Sequence, residues 1–284
     1  MAATTIIKDT LNKALRPLNI RLDGWTAINR EEARLSSLIK AGHLSDARYP
    51  LTGGMKRFDP APMAAAWEAH KEEIARLQNP ATNQTGYSAD NTFYRTPDTE
   101  ALYLMVRSLK PKRVVEIGCG NSTRITRQAI IDGGLDTQLV AIDPWPRADI
   151  AGLTDRFEQT RLENIEDFNA LFDLSEGDIL FIDSSHETFV GNDVANLFCK
   201  IIPALSAGVV VHVHDVFLPY EYPSDLAWDN PTWGEQYVLH AMLWGRDCEV
   251  LWPGYHLQKD RPDVHDALPF LKTGRAQSFW FRWA

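Results

Sequence analysis

Short, nearly continuous apolar runs recur along the middle of this chain, and the first ones end abruptly at a glycine or an acid. They cover residues 113–117 (RVVEI), 139–142 (LVAI), 178–183 (DILFID) and 208–215 (GVVVHVHD), followed by 248–252 and 277–283. Runs of this length without apolar–polar alternation suit strands buried on both faces of a parallel sheet. One more short strand is expected at 164–167. Between the runs the apolar spacing turns helical. Ile125, Ala129 and Ile130 mark one helix, residues 150–162 a second, and Val194, Leu197, Phe198 and Ile201 a third ahead of Pro203. Two strings, Ser184 with Glu187 and Thr232 with Glu235, read as capping boxes that open helices, the second carrying Tyr237, Leu239, Met242 and Leu243 inward. Strands alternating with helices through residues 113–252 predict an α/β fold, a parallel sheet with helices on both faces. The final strand follows another with no clear helix between, so it is expected to return antiparallel.

Ahead of the sheet the pattern is helical. Thr96-Pro97-Asp98 combines an N-cap, a first-turn proline and an acid, and the helix it opens sends Leu102, Met105, Val106 and Leu109 to the core. Residues 4–22, 29–40 and 60–77 give three earlier helical patterns, the last with Asp59 as N-cap, and residues 43–58 read as a loop containing Gly53-Gly54. The first pattern, with Ile7, Leu11, Ala14 and Leu15 on one face, is expected to pack on the domain. The chain therefore divides into a helical extension, 1–92, and a sheet domain, 93–284.

Composition narrows the function classes. A formal charge of −9 over 284 residues argues against a nucleic-acid surface as the main business. Three widely spaced cysteines form neither a zinc pattern nor a disulfide framework, which points to a reducing compartment. No apolar run is long enough to span a membrane, and the N-terminus carries no signal-peptide pattern, so the expected location is cytoplasmic. Homo-oligomer formation is left open.

The first strand breaks into Gly118-Cys119-Gly120, and Asn121, Ser122 and Thr123 then open a helix. A glycine turn feeding a helix N-terminus lets backbone approach a nucleotide-like ligand. The dinucleotide fingerprint G-x-G-x-x-G would need glycine where Thr123 stands. The string is instead E-x-G-x-G, beginning at Glu116. One unit later the second strand ends at Asp143-Pro144, where an acid can accept hydrogen bonds from ribose hydroxyls or cap the following turn. With Glu116, Gly118, Cys119, Gly120, Asn121, Ser122 and Asp143, this region resembles class I S-adenosylmethionine-dependent methyltransferases. The resemblance spans about residues 90–255, including the strings FIDSSH and HVHDVFLPYEYP. It implies a Rossmann-like, seven-stranded, mostly parallel sheet, S-adenosylmethionine as cofactor, and a helical extension serving as substrate cap. It is silent on the methyl acceptor, expected to be a small molecule.

Asp183 and Asp215 end the fourth and fifth strands, where ligands sit in such sheets. If the strands are neighbours the two carboxylates repel unless a proton or cation separates them. Magnesium or a similar hard ion would resolve the conflict and acidify a substrate hydroxyl. Ile182-Asp183-Ser184-Ser185-His186 and His214-Asp215-Val216 resemble the I-D-x-x-K and D-[ND] strings of metal-dependent catechol-type O-methyltransferases. That resemblance places a metal on Asp183 and Asp215. Val216 cannot ligate, and His186 stands at the lysine that takes the substrate proton. His186 is thus a candidate catalytic base alongside Asp183, which also lies near the cofactor, or a third metal ligand. His212 and His214 share a strand face and are expected to hydrogen-bond under a covering helix. Tyr220, Tyr222, Trp228 and Trp233 are candidates for stacking on a ring. The expected chemistry is O-methylation; N-methylation, cyclisation of the cofactor and a non-catalytic binding protein are the competing readings.

Overall fold

β-Branched side chains on alternating sides of each strand build two hydrophobic cores, one on either face of a single sheet. The computed structural model describes residues 2–18 and 28–284. Its strands are β1 Arg113–Ile117, β2 Gln138–Ile142, β3 Arg156–Glu158, β4 Ile179–Ile182, β5 Val210–Val213, β6 Glu249–Pro253 and β7 Phe279–Arg282, in the order β3-β2-β1-β4-β5-β7-β6. All pairings are parallel except those of β7, which runs antiparallel to both β5 and β6. Val115, Ile117, Leu180, Ile182, Val211 and Val213 face one core. Val114, Ile179, Phe181 and Val210 face the other.

The helices are α1 Ala2–Leu15, α2 Ile28–Lys40, α3 Gly53–Lys56, α4 Ala61–Leu77, α5 Asp98–Leu109, α6 Asn121–Gly133, α7 Phe168–Leu171, α8 Asp193–Asn196, α9 Ile202–Ala204, α10 Ser224–Asp229, α11 Glu235–Trp244 and α12 Gly254–Asp260. A π turn, Leu197–Ile201, joins α8 to α9. Among the described residues no helix is long and apolar enough to cross a membrane. Ile74 and Leu77 of α4 join the core formed by α5 and α6. In α3, Gly54 fits against β6, where a Cβ would lie 2.4 Å from the Cys248 carbonyl oxygen. Part of the extension is thus built into the sheet domain. In α1, Ile7 and Leu11 are exposed instead of packed on the domain as expected.

Four local expectations need correcting. No helix forms over 150–162; the third strand lies there, at Arg156–Glu158, pairing Val140 with Arg156. It is a three-residue edge strand with largely exposed side chains, so it lacks the apolar pattern that marks a buried one. The expected strand at 164–167 is irregular chain after a short 3₁₀ turn, Leu162–Asn164. Neither capping box forms. His186 takes a φ of +60°, which stops a helix at Ser184, and the helix begins at Asp193 with the Asn192 side chain accepting from the Ala195 N–H. In the second string Glu235 is the first residue of α11 behind Gly234, not an acid one turn inside it.

Candidate active site

The chain leaves β1 through Gly118, where φ is +79° and a Cβ would lie 1.9 Å from the carbonyl oxygen of Asp183. That glycine is demanded by the neighbouring strand end. At Gly120 a Cβ would meet nothing closer than Ala148 at 3.8 Å, so bare backbone there faces open space. The Gly120 N–H donates to Thr123 Oγ1 at 2.9 Å, so the residue that broke the dinucleotide fingerprint caps α6. Asp143 locks the turn from the next strand. Its Oδ2 accepts from the Cys119 N–H at 2.9 Å and its Oδ1 from the Trp145 N–H at 2.7 Å.

Turn and acid open on one cavity of about 590 Å³, lined by Gly118, Cys119, Gly120, Asn121, Ser122 and Asp143 on one side. Asp183, His186, His214 and Asp215 line the other. The volume is that of a small-molecule or cofactor site. Among the described residues its lining begins at Thr92, so α1 to α4 contribute nothing to it. Glu116 lies behind the turn, buried, with no hydrogen-bond partner on either oxygen. Burial pushes its carboxyl up to about 8; the nearby hydroxyls of Ser122 and Thr123 oppose the shift, and the charges of Asp183 and Asp143 add to it.

Across the cavity, β4 and β5 bring three predicted residues together. His186 Nε2 is 3.3 Å from Asp183 Oδ1 and 3.3 Å from Asp215 Oδ2. These three residues offer donor atoms all within 4.8 Å of one another. His186 and Asp215 both sit in the left-handed region, at φ +60° and +55°. Such backbone costs about 1–3 kcal/mol and persists where neighbours over-determine it. Here the neighbour is the start of α11: the His186 carbonyl accepts from the Gly234 N–H at 2.9 Å, and the Trp233 ring lies 4.6 Å from the imidazole.

Electrostatics at this cluster run against burial. Desolvation disfavours an ionised Asp183, but His214 and His186 outweigh it and hold the carboxyl well below its usual range. Burial likewise opposes protonation of His186 and His214. Asp183 and Glu235 for the first, and Asp183 and Asp215 for the second, pull both well above the usual imidazole value. His212 goes the other way, lowered by burial and by His214. Positive charge between Asp183 and Asp215 is therefore what this geometry requires, as protons or as a cation.

Three residues of the cluster were not picked out by sequence. Glu235, 1% exposed, accepts from His186 Nδ1 at 2.8 Å and was hidden inside a supposed capping box. Asp98, assigned only a helix-start role, has Oδ2 3.4 Å from His214 Nε2. His214 itself makes no hydrogen bond through either ring nitrogen, contrary to expectation, whereas His212 meets Ser278 Oγ at 3.1 Å as expected. Of the proposed stacking residues Trp233 lines the cavity. Tyr220 and Tyr222 are tied up with Asp260 and the Gln236 backbone, and Trp228 is exposed on α10.

Residues 115–216 match the family model described as a methyltransferase domain. No curated protein matches the chain in sequence. Among solved structures, an S-adenosylhomocysteine-bound methyltransferase of Podospora anserina, PaMTH1, is 18% identical, with 93% of this chain and 99% of that one covered at a TM-score of 0.43. The O-methyltransferase TomG of Streptomyces achromogenes, involved in tomaymycin synthesis and solved with S-adenosylmethionine, is 19% identical over 88% and 96% at 0.41. The family match begins in β1 and ends just past β5, so it spans the glycine turn, Asp143 and both strand-end acids, and over residues 115–216 the chain is similar to a methyltransferase domain.

Proposed function

We propose that this chain transfers the methyl group of S-adenosylmethionine to an oxygen of a small molecule, with a divalent cation held by Asp183, His186 and Asp215. The observation that carries the reading is the convergence of those three side chains in the same cavity as the glycine turn. Cys119, Gly120, Asn121 and Ser122 pass the cofactor along bare backbone and the start of α6. Each Asp143 oxygen accepts one backbone N–H and keeps a lone pair for a ribose hydroxyl. Glu116 and Gly118 support that wall from behind. Methyl transfer from a sulfonium needs in-line approach, so the cavity's contribution is alignment and removal of the acceptor's proton.

When bound, a divalent cation supplies positive charge that lowers the pKa of an acceptor hydroxyl. Asp183 and Asp215 place their carboxylates on either side of His186 Nε2, and Glu235 holds the other ring nitrogen. With both nitrogens engaged, His186 is better placed to ligate than to accept the acceptor's proton. The base reading rests on the His186 ring lining the cavity, and experiment separates the two. Turnover should be abolished by exhaustive chelation and restored by added divalent ion. Activity that survives chelation and falls in His186→Ala returns the base role to His186. Methyl-labelled cofactor should deliver label to an oxygen of the acceptor. Label on nitrogen, or cyclised cofactor without acceptor, changes the reaction class, and no thermal shift at saturating S-adenosylmethionine removes the reading.

A further inference from the structure

Three donors leave a cation undersatisfied, and the obvious fourth is missing. Val216, where a second acid would follow Asp215, is 2% exposed and packed in the core on β4 and β5. It cannot turn toward the cluster. On the other side of Asp215 stands His214, also 2% exposed, with neither ring nitrogen hydrogen-bonded. Its Nδ1 lies 3.6 Å from Asp183 Oδ1 and 3.7 Å from Asp215 Oδ2. A buried imidazole whose nitrogens make only such long ion pairs and no hydrogen bond is under-satisfied, so the arrangement suits a partner between those oxygens.

We propose that the cation site is a two-histidine, two-carboxylate centre, formed by His186 Nε2, His214 Nδ1, Asp183 and Asp215, and that it selects a first-row transition ion over magnesium. This inference rests on the cation reading above and specifies its donors and its metal class.

The donor chemistry disagrees with a hard ion. Magnesium takes an octahedral oxygen shell and keeps several of its waters, whereas paired imidazoles with carboxylates suit manganese, iron, cobalt, nickel or zinc. The histidine–carboxylate distances are 3.3 and 3.3 Å from His186 and 3.6 and 3.7 Å from His214 to the same two oxygens, so His214 stands slightly outside the three-residue group and flanks the same carboxylates.

Each histidine also has a buried carboxylate behind it. Glu235 faces His186 Nδ1 at 2.8 Å, and Asp98, held by the N–H groups of Gln277 and Ser278, faces His214 Nε2 at 3.4 Å. A carboxylate at the far nitrogen fixes the tautomer and raises the basicity of the near one. The two histidines are backed at opposite ring nitrogens, and both free lone pairs consequently aim at one gap. Rotation is blocked as well, by Trp233 4.6 Å from the His186 ring and Tyr94 stacked 4.8 Å from the His214 ring.

The test uses the full chain, stripped by chelation and titrated calorimetrically with manganese, cobalt, zinc and magnesium separately. Manganese-loaded protein is then examined by pulsed electron paramagnetic resonance for nitrogen coupling. Expected are affinities for cobalt or zinc at least roughly tenfold above magnesium, and coupling to two imidazole nitrogens. His214→Ala should lose one coupling and roughly tenfold or more in cobalt affinity, with magnesium affinity changed much less. Should that variant fail to fold, seen as loss of its melting transition, nitrogen counting on the unmutated chain decides. Magnesium binding as tightly as cobalt, or one coupled nitrogen, overturns the two-histidine centre and leaves the three-residue cation reading standing. No binding of any of the four ions removes both.

Discussion

The two walls of the cavity solve different problems with different materials. On the β1–β2 wall the contacts are local and made largely by backbone: a glycine turn, a helix start and one acid at the end of the adjacent strand that holds the turn through Cys119 and its own loop through Trp145. On the β4–β5 wall the chemistry sits on side chains gathered from residues 98, 183, 186, 214, 215 and 235. The first wall suits the proposed S-adenosylmethionine. The second gathers titratable side chains, and it stores strain at His186 and Asp215.

The contrast is sharpest in their buried acids. Glu116 behind the first wall is pushed up to about 8, while Asp183 on the second is held well below its usual range by two histidines. A folded-state value above the unfolded one means the native state binds the extra proton. Glu116 therefore contributes stability that is complete below about pH 4.5 and lost as pH rises through about 8. A displacement that large corresponds to up to roughly 5 kcal/mol. Glu116→Gln should melt increasingly above the parent chain between pH 5 and 8, with the gap level beyond that. Parallel melting curves across that range would mean the carboxyl is stabilised by contacts and the two walls are electrostatically alike.

Gly118 is where the walls touch, because its missing Cβ is filled by the Asp183 carbonyl. Gly118→Val adds overlap and left-handed strain, a loss of about 2–5 kcal/mol, visible as a lowered melting temperature. It should disturb both S-adenosylmethionine binding and cation binding. Loss of the first alone would show the walls to be independent.

The same contrast explains what could be read from sequence. The β1–β2 wall is contiguous, so it could be read from sequence that residues 118–122 and Asp143 meet at one cavity, but not that Asp143 accepts from Cys119 and Trp145. Asp183 and Asp215 were legible because strand ends in a parallel sheet meet ligands, and His186 because it stands at the lysine position of the I-D-x-x-K string that this segment resembles. Glu235 and Asp98 were not, since their roles depend on the placement of α11 and α5, and each already had a local explanation as a helix-start acid. His214 was misjudged for a related reason: strand alternation pairs it with His212, but only coordinates show that Ser278 hydrogen-bonds one while the other faces only carboxylates, at 3.4–3.7 Å. β3 escaped because three exposed residues on an edge carry no hydrophobic pattern.

Asp143 gives the smallest effect and the finest test of the first wall, because it has two jobs. It organises the turn through Cys119 and Trp145, and it is proposed to hold ribose. Asp143→Ala should weaken S-adenosylmethionine binding by about 10–100-fold, or roughly 1.4–2.8 kcal/mol. That loss alone does not say which job was lost. A cofactor analogue lacking the ribose 2′-hydroxyl does, through a double-mutant cycle. If the carboxylate holds the ribose, the parent chain discriminates against the analogue and Asp143→Ala discriminates much less. If the carboxylate only shapes the turn, both proteins discriminate equally, since the hydroxyl's partner lies elsewhere. The second outcome would leave the glycine turn as the sole anchor on its wall, and the search for the ribose contact would move to other side chains lining that side of the cavity, beginning with Glu163.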